Sequence, residues 1–285
     1  GNRIDSGSDE RQLMLTASQI DRWLREDIGH HDVTNDVGGN THGRLVAKEG
    51  GVAAGIDAAA AVFDHLDVET DREVADGDAI DAGDVVLRTN GSAQATLRAE
   101  RVAVNLAGHA SGVATRTREA VDRAETVANG VRIAGTRKTT PGLRGVEKRA
   151  VVAGGGDSHR LDLSHMVMIK ENHIAEMGLE TAVKRFRERV SFATQIEVEA
   201  ESAEQARRAA TAGADIVLLD NMPPAETAEA VDALADDTPD VLTEASGGIT
   251  LDDVADYAAT GIDIISMGSL THSAPSLDFS FRTGE

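Results

Sequence analysis

The chain has 285 residues, of which 41% are apolar and 2% aromatic, and it carries a formal charge of −21 with no cysteine. This length suffices for two unequal domains with ample cores, and the missing cysteines exclude disulfides, thiolate nucleophiles and cysteine-bound metal clusters. No run approaches the roughly 20 apolar residues of a membrane span, and the amino end lacks the apolar run of a secretion signal, so we expect a soluble cytoplasmic protein.

The amino-terminal part predicts a small α/β domain. Its first dozen residues are polar and are expected to fray. TASQIDRWLREDIG predicts a helix with Ser18 as a possible N-cap, because its apolar residues recur at i, i+3, i+4 and i+8. Between Arg44 and Leu97, short apolar runs alternate with Gly and Asp turns. This pattern predicts a small sheet covered by a helix near Ile56 to Leu66.

A long helical pattern, AERVAVNLAGHASGVATRTREAVDRA, leads into a second part with a different rhythm. We place the boundary near Ala114, giving domains 1–114 and 115–272, with residues 273–285 packing back on the first. Six apolar runs then alternate with helical segments about 20 to 35 residues apart, the spacing of an α/β barrel: VRIAG, MVMIK, TQIEVEA, DIVLLD, VLTEAS and DIISMG. Capping-box patterns at 202–205 and 250–253 mark two helix starts.

Polar residues follow these apolar runs. They are Arg137, Lys138, Lys170, Glu199, Asp220, Ser246, Gly247, Gly248, Gly268 and Ser269. The carboxyl ends of barrel strands share one face, where active sites of this architecture lie. The sequence therefore predicts that these side chains converge on a single site.

Positive charge is concentrated in one stretch of an acidic chain. Residues 136–175 contain seven Lys or Arg against four Asp or Glu, so this stretch is +3 and the rest of the chain is −24. Such a basin suits polyanionic ligands, whereas the lack of a basic face elsewhere disfavours nucleic acid binding. The chain has five lysines against 23 arginines and its acids favour Asp, which is typical of a salt-adapted, halophilic organism.

The residue types in this stretch suggest specific ligands. Arginine offers a planar donor fork that matches carboxylate or phosphate, so Arg137, Arg160 and Arg101 suit a ligand with several anionic oxygens. Lys138 and Lys170 are point charges that suit phosphate or pyrophosphate. The alternative for each is a surface ion pair.

Acids and glycines complete the predicted site. Glu199 and Asp220 lie in or just beyond apolar strands and could bind Mg²⁺ through water or hold sugar hydroxyls; alternatively they pair with neighbouring lysines. EASGGIT and SMGSL place Ser246, Gly247, Gly248 and Gly268 where backbone N–H groups can approach a phosphate.

The segment GGGDSHRLDLS, residues 154–164, is too rich in glycine for a helix and predicts a mobile loop. It would deliver His159 and Arg160 to the site. His159, His165 and His173 lack the spacing of metal ligands, so we interpret His159 as a substrate contact and His165 as structural.

The segment TRKTTPGLRGVEKRAVVAGGGDSHRLDLSHMVMIKENH resembles the signature region of the quinolinate phosphoribosyltransferase family. Further similar segments are EDIGHHDVTND, ERVAVNL, IEVEAES, DIVLLDNM, EASGGIT and DIISMGSLTHS, so that the resemblance covers roughly residues 13–281. It implies an amino-terminal α/β sandwich and a carboxyl-terminal open α/β barrel. The implied reaction joins quinolinate to phosphoribosyl pyrophosphate with Mg²⁺, giving nicotinate mononucleotide, pyrophosphate and CO₂ in NAD biosynthesis.

The resemblance also implies residue roles. Arg137, His159 and Arg160 would hold the two quinolinate carboxylates, and Lys138 and Lys170 would meet carboxylate and pyrophosphate. Glu199 and Asp220 would serve the ribose hydroxyls and Mg²⁺, while Ser246, Gly247, Gly248 and Gly268 would cradle the 5-phosphate. In this family an arginine matching Arg101 reaches across a dimer interface into the partner's site, so the resemblance implies at least a homodimer.

Three other functions stay open at this point. One is a phosphoribosyltransferase for nicotinate or another small acid without decarboxylation, which would not need a second cationic contact such as Arg160. Another is a barrel aldolase with Lys170 as a Schiff base, and the third is a non-catalytic phosphometabolite-binding regulator. Thr243 and His30–His31 depart from the family pattern, and neither lies at a matched catalytic position.

Overall fold

The computed structural model describes residues 15–284, which form two compact units. The first unit comprises the described residues up to Arg116, together with 140–154 and the segment from Ala274 onward; the second comprises 117–139 and 155–273. The polar amino-terminal dozen, predicted to fray, lies outside the described residues. Within the described part, no helix is long and apolar enough to cross a membrane.

The predicted first helix is confirmed as α1 (Ala17–Ile28), with Ile20 and Leu24 buried. The prediction of Ser18 as its N-cap is wrong. Thr16 occupies the cap because its backbone is extended, at φ −98° and ψ 149°, whereas Ser18 already lies inside the helix. The hydroxyls of Thr16 and Ser18 lie 2.9 Å apart, and the Thr16 side chain makes no capping hydrogen bond to the helix backbone.

A four-stranded antiparallel sheet forms the body of the first unit. Its order is β12-β1-β5-β3, and a separate ribbon pairs β2 with β4. The elements are β1 (Asn40–Ala47), β2 (Gly51–Val52), α2 (Ile56–Asp64), β3 (Glu69–Arg72), β4 (Ala79–Ile80), β5 (Val85–Ser92) and β12 (Phe279–Thr283). Leu45 and Leu87 are fully buried, and Phe63 of α2 stacks on Phe281 of β12 with ring centroids 5.3 Å apart. The predicted small sheet with a covering helix is therefore confirmed.

Helix α3 (Ala93–Glu125) confirms the predicted long helix, and α4 (Arg144–Ala153) follows later in the chain. Small residues on α3 allow close backbone approach. A Cβ on Gly112 would lie 2.0 Å from the carbonyl oxygen of Pro275, so this position accepts only glycine. The carboxyl-terminal segment thus packs against α3 on its way to β12.

Six parallel strands form the sheet of the second unit. The order is β6-β11-β10-β9-β8-β7, and the two end strands are not paired with each other, so the barrel is open. The strands are β6 (Arg132–Ala134), β7 (Val167–Ile169), β8 (Ile196–Ala200), β9 (Ile216–Asp220), β10 (Leu242–Ser246) and β11 (Ile264–Ser266). Each lies within one of the six apolar runs, which confirms the strand predictions and the α/β fold class.

Helices alternate with these strands. They are α5 (Glu171–Met177), α6 (Leu179–Arg187), α7 (Ala203–Thr211), α8 (Pro224–Asp237), a 3₁₀ turn (Leu251–Asp253), α9 (Val254–Ala258) and α10 (Ser269–His272). The capping box at Thr250 and Asp253 is confirmed. At α7, Ser202 accepts from the N–H of Gln205 as predicted, but the Gln205 side chain accepts from the N–H of Glu201, so the box is not reciprocal.

The glycine-rich segment after α4 is tied to the edge of the sheet. Asp157 forms a parallel bridge with Ala134 of β6: its N–H donates to Ile133 at 2.7 Å, and its carbonyl accepts from Gly135 at 2.9 Å. The Asp157 carboxylate then accepts from the N–H of His159, whose φ is +53°. This turn places His159 and Arg160 immediately after an anchored residue.

Candidate active site

A cavity of about 790 Å³ lies at the carboxyl ends of the barrel strands. It is lined by all but one of the predicted site residues: Arg137, Lys138, His159, Arg160, Lys170, Glu199, Asp220, Ser246, Gly247, Gly248 and Gly268. Arg101 is the exception, because it lies on α3 in the first unit with 59% of its side chain exposed. The second unit therefore gathers the predicted cations, acids and glycines around one space.

The two-residue period of the strands explains which side chains enter the barrel. Glu199 pairs in register with Leu218, and Asp220, two residues after Leu218 on β9, pairs with Ser246. Paired residues and residues two apart on a strand point to the same face, so Glu199, Asp220 and Ser246 share one face near the rim. Two residues earlier on the same strands lie Glu197 and Glu244, which are buried. Glu244 pairs with Leu218, level with Glu199, and lines the cavity, whereas Glu197 pairs with Ile216 and lies two residues deeper in the barrel.

Arg160 is the most deeply buried cation of the cavity, with 7% of its surface exposed. Its Nη2 lies 3.6 Å from the sulfur of Met168, and its buried Nε has no hydrogen-bond partner within the described structure, as is also true of Arg137. Burial and the nearby Arg137 lower the pKa of Arg160, against the opposing effect of Glu197 and Glu199, yet arginine stays protonated. Both arginines line the cavity, where their guanidinium groups can meet an anionic ligand.

The two lysines differ in their surroundings. Lys170 Nζ pairs closely with Glu199 Oε1, which matches the alternative interpretation of that acid as an ion-pair partner. Lys138 forms no ion pair among the described residues, and its stem passes Gly268 so closely that a Cβ there would lie 2.8 Å from Lys138 Cδ. Gly268 therefore keeps open the place that the lysine side chain occupies.

His159 lies beside the two buried acids, Glu244 and Glu197. Its Nε2 lies 2.9 Å from Glu244 Oε2 and 3.7 Å from Glu197 Oε2. Burial, and then the neighbouring Glu244, raise the pKa of Glu197 to about 8. These three residues are close enough to surround a metal ion, but a neutral carboxyl and an imidazole are a poor donor set for Mg²⁺.

Acidic and glycine-rich elements also line the cavity. Asp220 Oδ2 accepts from the side-chain amide of Asn221 at 2.8 Å. Gly247 and Gly248 follow β10 with φ of +107° and +66°, conformations that side chains rarely adopt. The backbone of this loop can therefore approach a bound anion closely.

Four cavity-wall or supporting residues were missed by sequence reasoning: Glu197, Asn221, Glu244 and His272. Glu197 and Glu244 carried the same signal as Glu199, an acid inside an apolar strand, and could have been found by extending that argument two residues inward. Asn221 directly follows the run DIVLLD and so carried the same signal as the predicted residues, whereas His272 lies four residues beyond the run DIISMG and had no such signal.

Two earlier interpretations can be placed in the structure. His165 Nδ1 accepts from the N–H of Leu161 at 3.2 Å, which fits a structural role for this histidine. Thr243, a departure from the family pattern, is buried and pairs through its backbone and hydroxyl with Asp263 at 2.8 Å. It lies outside the cavity lining, so the substitution is satisfied locally.

Family models match most of the chain. The model described as the quinolinate phosphoribosyl transferase amino-terminal domain matches residues 31–111, and the model of the carboxyl-terminal domain matches residues 113–282.

Similar proteins carry a consistent description. A probable carboxylating nicotinate-nucleotide pyrophosphorylase of Methanothermobacter thermautotrophicus is 45% identical, covering 92% of this chain and 97% of the relative. The human carboxylating nicotinate-nucleotide pyrophosphorylase is 41% identical, covering 93% and 91%. The crystal structure of NadC from Streptococcus pyogenes superposes with a TM-score of 0.85 at 38% identity, covering 95% and 99%.

Proposed function

The chain belongs to the quinolinate phosphoribosyltransferase family, and from this premise we propose how its barrel cavity performs the family's reaction. The substrates are quinolinate and phosphoribosyl pyrophosphate, and the products are nicotinate mononucleotide, pyrophosphate and CO₂. The observation that carries the assignment is the gathering of four cations on one cavity of a chain whose net charge is −21: Arg137, Lys138, Arg160 and Lys170. Two polyanionic substrates need such a basin.

The diacid is assigned to the side of the cavity that holds Arg137, His159 and Arg160. The presence of both arginines on the cavity supports this, since a carboxylate can accept from a guanidinium edge in a bidentate manner. His159 is held by Glu244 and can present its ring to the second carboxylate. Lys138 and Lys170 lie on the same cavity and are assigned to the carboxylate and the pyrophosphate.

The phosphoribosyl group is assigned to the acids and the glycine turns that line the same cavity. Glu199 and Asp220 face the cavity and would accept from ribose hydroxyls, while the Ser246 to Gly248 turn and Gly268 would hold the 5-phosphate. The positive φ of Gly247 and Gly248 supports the phosphate assignment, because glycine adopts this conformation without strain and carries no side chain to cover the turn.

Mg²⁺ is proposed as the metal, held by Glu199 and Asp220 directly or through water. The donor set fits, because both are carboxylates on the cavity wall and each engages a single cationic or amide donor among its described hydrogen bonds. When bound, the ion would neutralise charge on the pyrophosphate.

The chain's own residues account for the remaining chemistry. As the bond from the ribose carbon to pyrophosphate breaks, positive charge develops on the sugar, and the Glu199 and Asp220 carboxylates stabilise it. The lysines balance the departing pyrophosphate while the arginines keep the diacid in place. Once the pyridine nitrogen is alkylated, its positive charge stabilises the electron pair left when the adjacent carboxylate departs as CO₂, so no strong base is required.

The structure bears on the alternative functions. Arg160 gives a second carboxylate a buried partner, which a nicotinate-specific enzyme would not need. Lys170 pairs with the Glu199 carboxylate, whereas a Schiff-base lysine is typically held in an apolar pocket. Both observations favour the diacid reaction.

The decisive experiment incubates the purified protein with phosphoribosyl pyrophosphate, Mg²⁺ and either quinolinate or nicotinate. We expect nicotinate mononucleotide and an equal amount of CO₂ from quinolinate, and little product from nicotinate. Equal turnover of nicotinate would favour the enzyme without decarboxylation, and binding without any turnover would favour a regulator.

We further propose that the enzyme is at least a homodimer in which Arg101 of one subunit serves the partner's cavity. Arg101 is exposed, and its nearest acid, Glu100, lies 3.8 Å away, which leaves the guanidinium available. Mixing inactive Arg101→Ala with inactive Glu199→Gln protein tests this. Hybrid dimers should regain activity if the arginine acts in trans, and no recovery despite subunit exchange would contradict the proposal.

A cytoplasmic location in a salt-accumulating organism is proposed from composition. The acidic charge and the preference for arginine over lysine support it. Thermal unfolding measured across increasing KCl should show a rising midpoint, since salt screens repulsion among the acids. A midpoint that falls with KCl would contradict it.

A further inference from the structure

Asn221 lies where two neighbouring strands of the barrel end. It follows Asp220 at the end of β9, which pairs in register with Ser246 at the end of β10. The Asn221 N–H donates to the carbonyl of Ser246 at 2.8 Å and so extends the pairing by one residue. The backbone then turns with φ of +54°, a left-handed conformation that asparagine tolerates better than most residues.

The side chain of Asn221 contacts both parts of the proposed phosphoribosyl site, the Asp220 carboxylate and the glycine turn. Its amide donates to Asp220 Oδ2 at 2.8 Å. Its oxygen lies against Gly247, where an added Cβ would be 2.3 Å from Asn221 Oδ1 and 2.8 Å from the backbone nitrogen of Asn221. One amide group therefore contacts the carboxylate on one side and the glycine turn on the other.

Asparagine meets the chemical requirements of this place better than its nearest substitutes. Aspartate would have a similar shape but would place a second negative charge beside Asp220 and remove the donor. Glycine would adopt the same φ without strain but would leave the Asp220 carboxylate and the Gly247 turn unsupported.

We propose that Asn221 is a positioning residue that fixes the Asp220 carboxylate relative to the Gly247–Gly248 turn, so that the ribose and 5-phosphate of one phosphoribosyl group are held together. The inference rests on the proposed function, which assigns the Asp220 carboxylate to the ribose and the Gly247–Gly248 turn to the 5-phosphate of phosphoribosyl pyrophosphate. Asn221 acts through its neighbours and need not touch the reacting atoms.

The test compares Asn221→Gly and Asn221→Asp with the wild type. We expect the KM for phosphoribosyl pyrophosphate to rise by about tenfold or more while the KM for quinolinate stays within about twofold, because only one subsite is disturbed. Calorimetry with phosphoribosyl pyrophosphate alone should show the same loss of affinity. A merely structural role would affect both substrates together.

A matched control is Asp67→Gly, which removes a side chain at another left-handed position, φ +58°, outside the barrel unit. It should leave both KM values unchanged. Unchanged affinity for phosphoribosyl pyrophosphate in Asn221→Gly, or equal losses for both substrates, would overturn the inference. If Asn221→Gly fails to fold, the nearly isosteric Asn221→Asp supplies the same comparison.

Failure of the proposed function is distinguishable from failure of this inference. A wild type that forms no nicotinate mononucleotide contradicts the function, whereas calorimetry still decides whether Asn221 supports the binding of phosphoribosyl pyrophosphate. A wild type that does not bind that compound at all contradicts both.

Discussion

Replacing Glu197 with glutamine should make the protein more resistant to unfolding at mildly alkaline pH. Burial and the adjacent Glu244 raise the pKa of Glu197 from 4.5 to about 8 in the folded chain. Between these two values folding takes up a proton, so the carboxyl opposes folding increasingly as pH rises, by about 1.4 kcal/mol per pH unit. Below the unfolded pKa the group is neutral in both states and has no such effect.

The expected magnitude follows from that slope. From pH 6 to pH 8 the free energy of unfolding of the wild type should fall by about 2 kcal/mol relative to that of Glu197→Gln. This is slightly less than the full slope over two pH units, because the curve flattens near the folded pKa. The assay is urea unfolding followed by circular dichroism at pH 6, 7 and 8 at constant KCl. Glu201→Gln, at an exposed position just beyond the same strand, is the control. Parallel pH profiles of wild type and Glu197→Gln would refute the reasoning.

Three further variants test other contacts. In steady-state assays, Arg160→Ala should raise the KM for quinolinate by about tenfold or more and the KM for phosphoribosyl pyrophosphate far less. Equal effects on both KM values would contradict the assignment of Arg160 to the diacid. Burial raises the pKa of Glu147, but hydrogen bonds from His109 and Thr140 outweigh it and leave the pKa below its usual value. Wild-type stability should therefore fall as pH drops below about 4, and Glu147→Gln should show a shallower fall in acid unfolding curves. Gly247→Ala should lower affinity for phosphoribosyl pyrophosphate by about tenfold in calorimetry while circular dichroism stays unchanged, and retained affinity would contradict the phosphate assignment.

The strands and the position of the site could be predicted because they follow from local pattern. Apolar runs of fixed spacing define the barrel, and the residue after each run necessarily lies at the common rim. Lys170, Glu199 and Asp220 were found in this way, and the structure places all three on the cavity. Their individual contacts were less accessible, since Lys170 meets Glu199 across two different strand ends.

What the sequence did not reveal depends on backbone conformation and on contacts between distant segments. The left-handed turn at Asn221 has no local signature, because asparagine is also common in ordinary turns. Ser18 and Thr16 are equivalent capping residues by type, and only the backbone angles decide between them. The grouping of residues 140–154 with the first unit depends on contacts such as that of Glu147 with His109, 38 residues apart.

The anchoring of Asp157 to β6 has an energetic consequence for ligand capture. His159 and Arg160 come two and three residues after a position fixed by two backbone hydrogen bonds to the sheet edge. The conformational entropy of this short stretch is therefore surrendered largely during folding, not on encounter with the diacid. Loosening that anchor should therefore weaken the proposed binding of the diacid by His159 and Arg160, even if every contacting atom were retained.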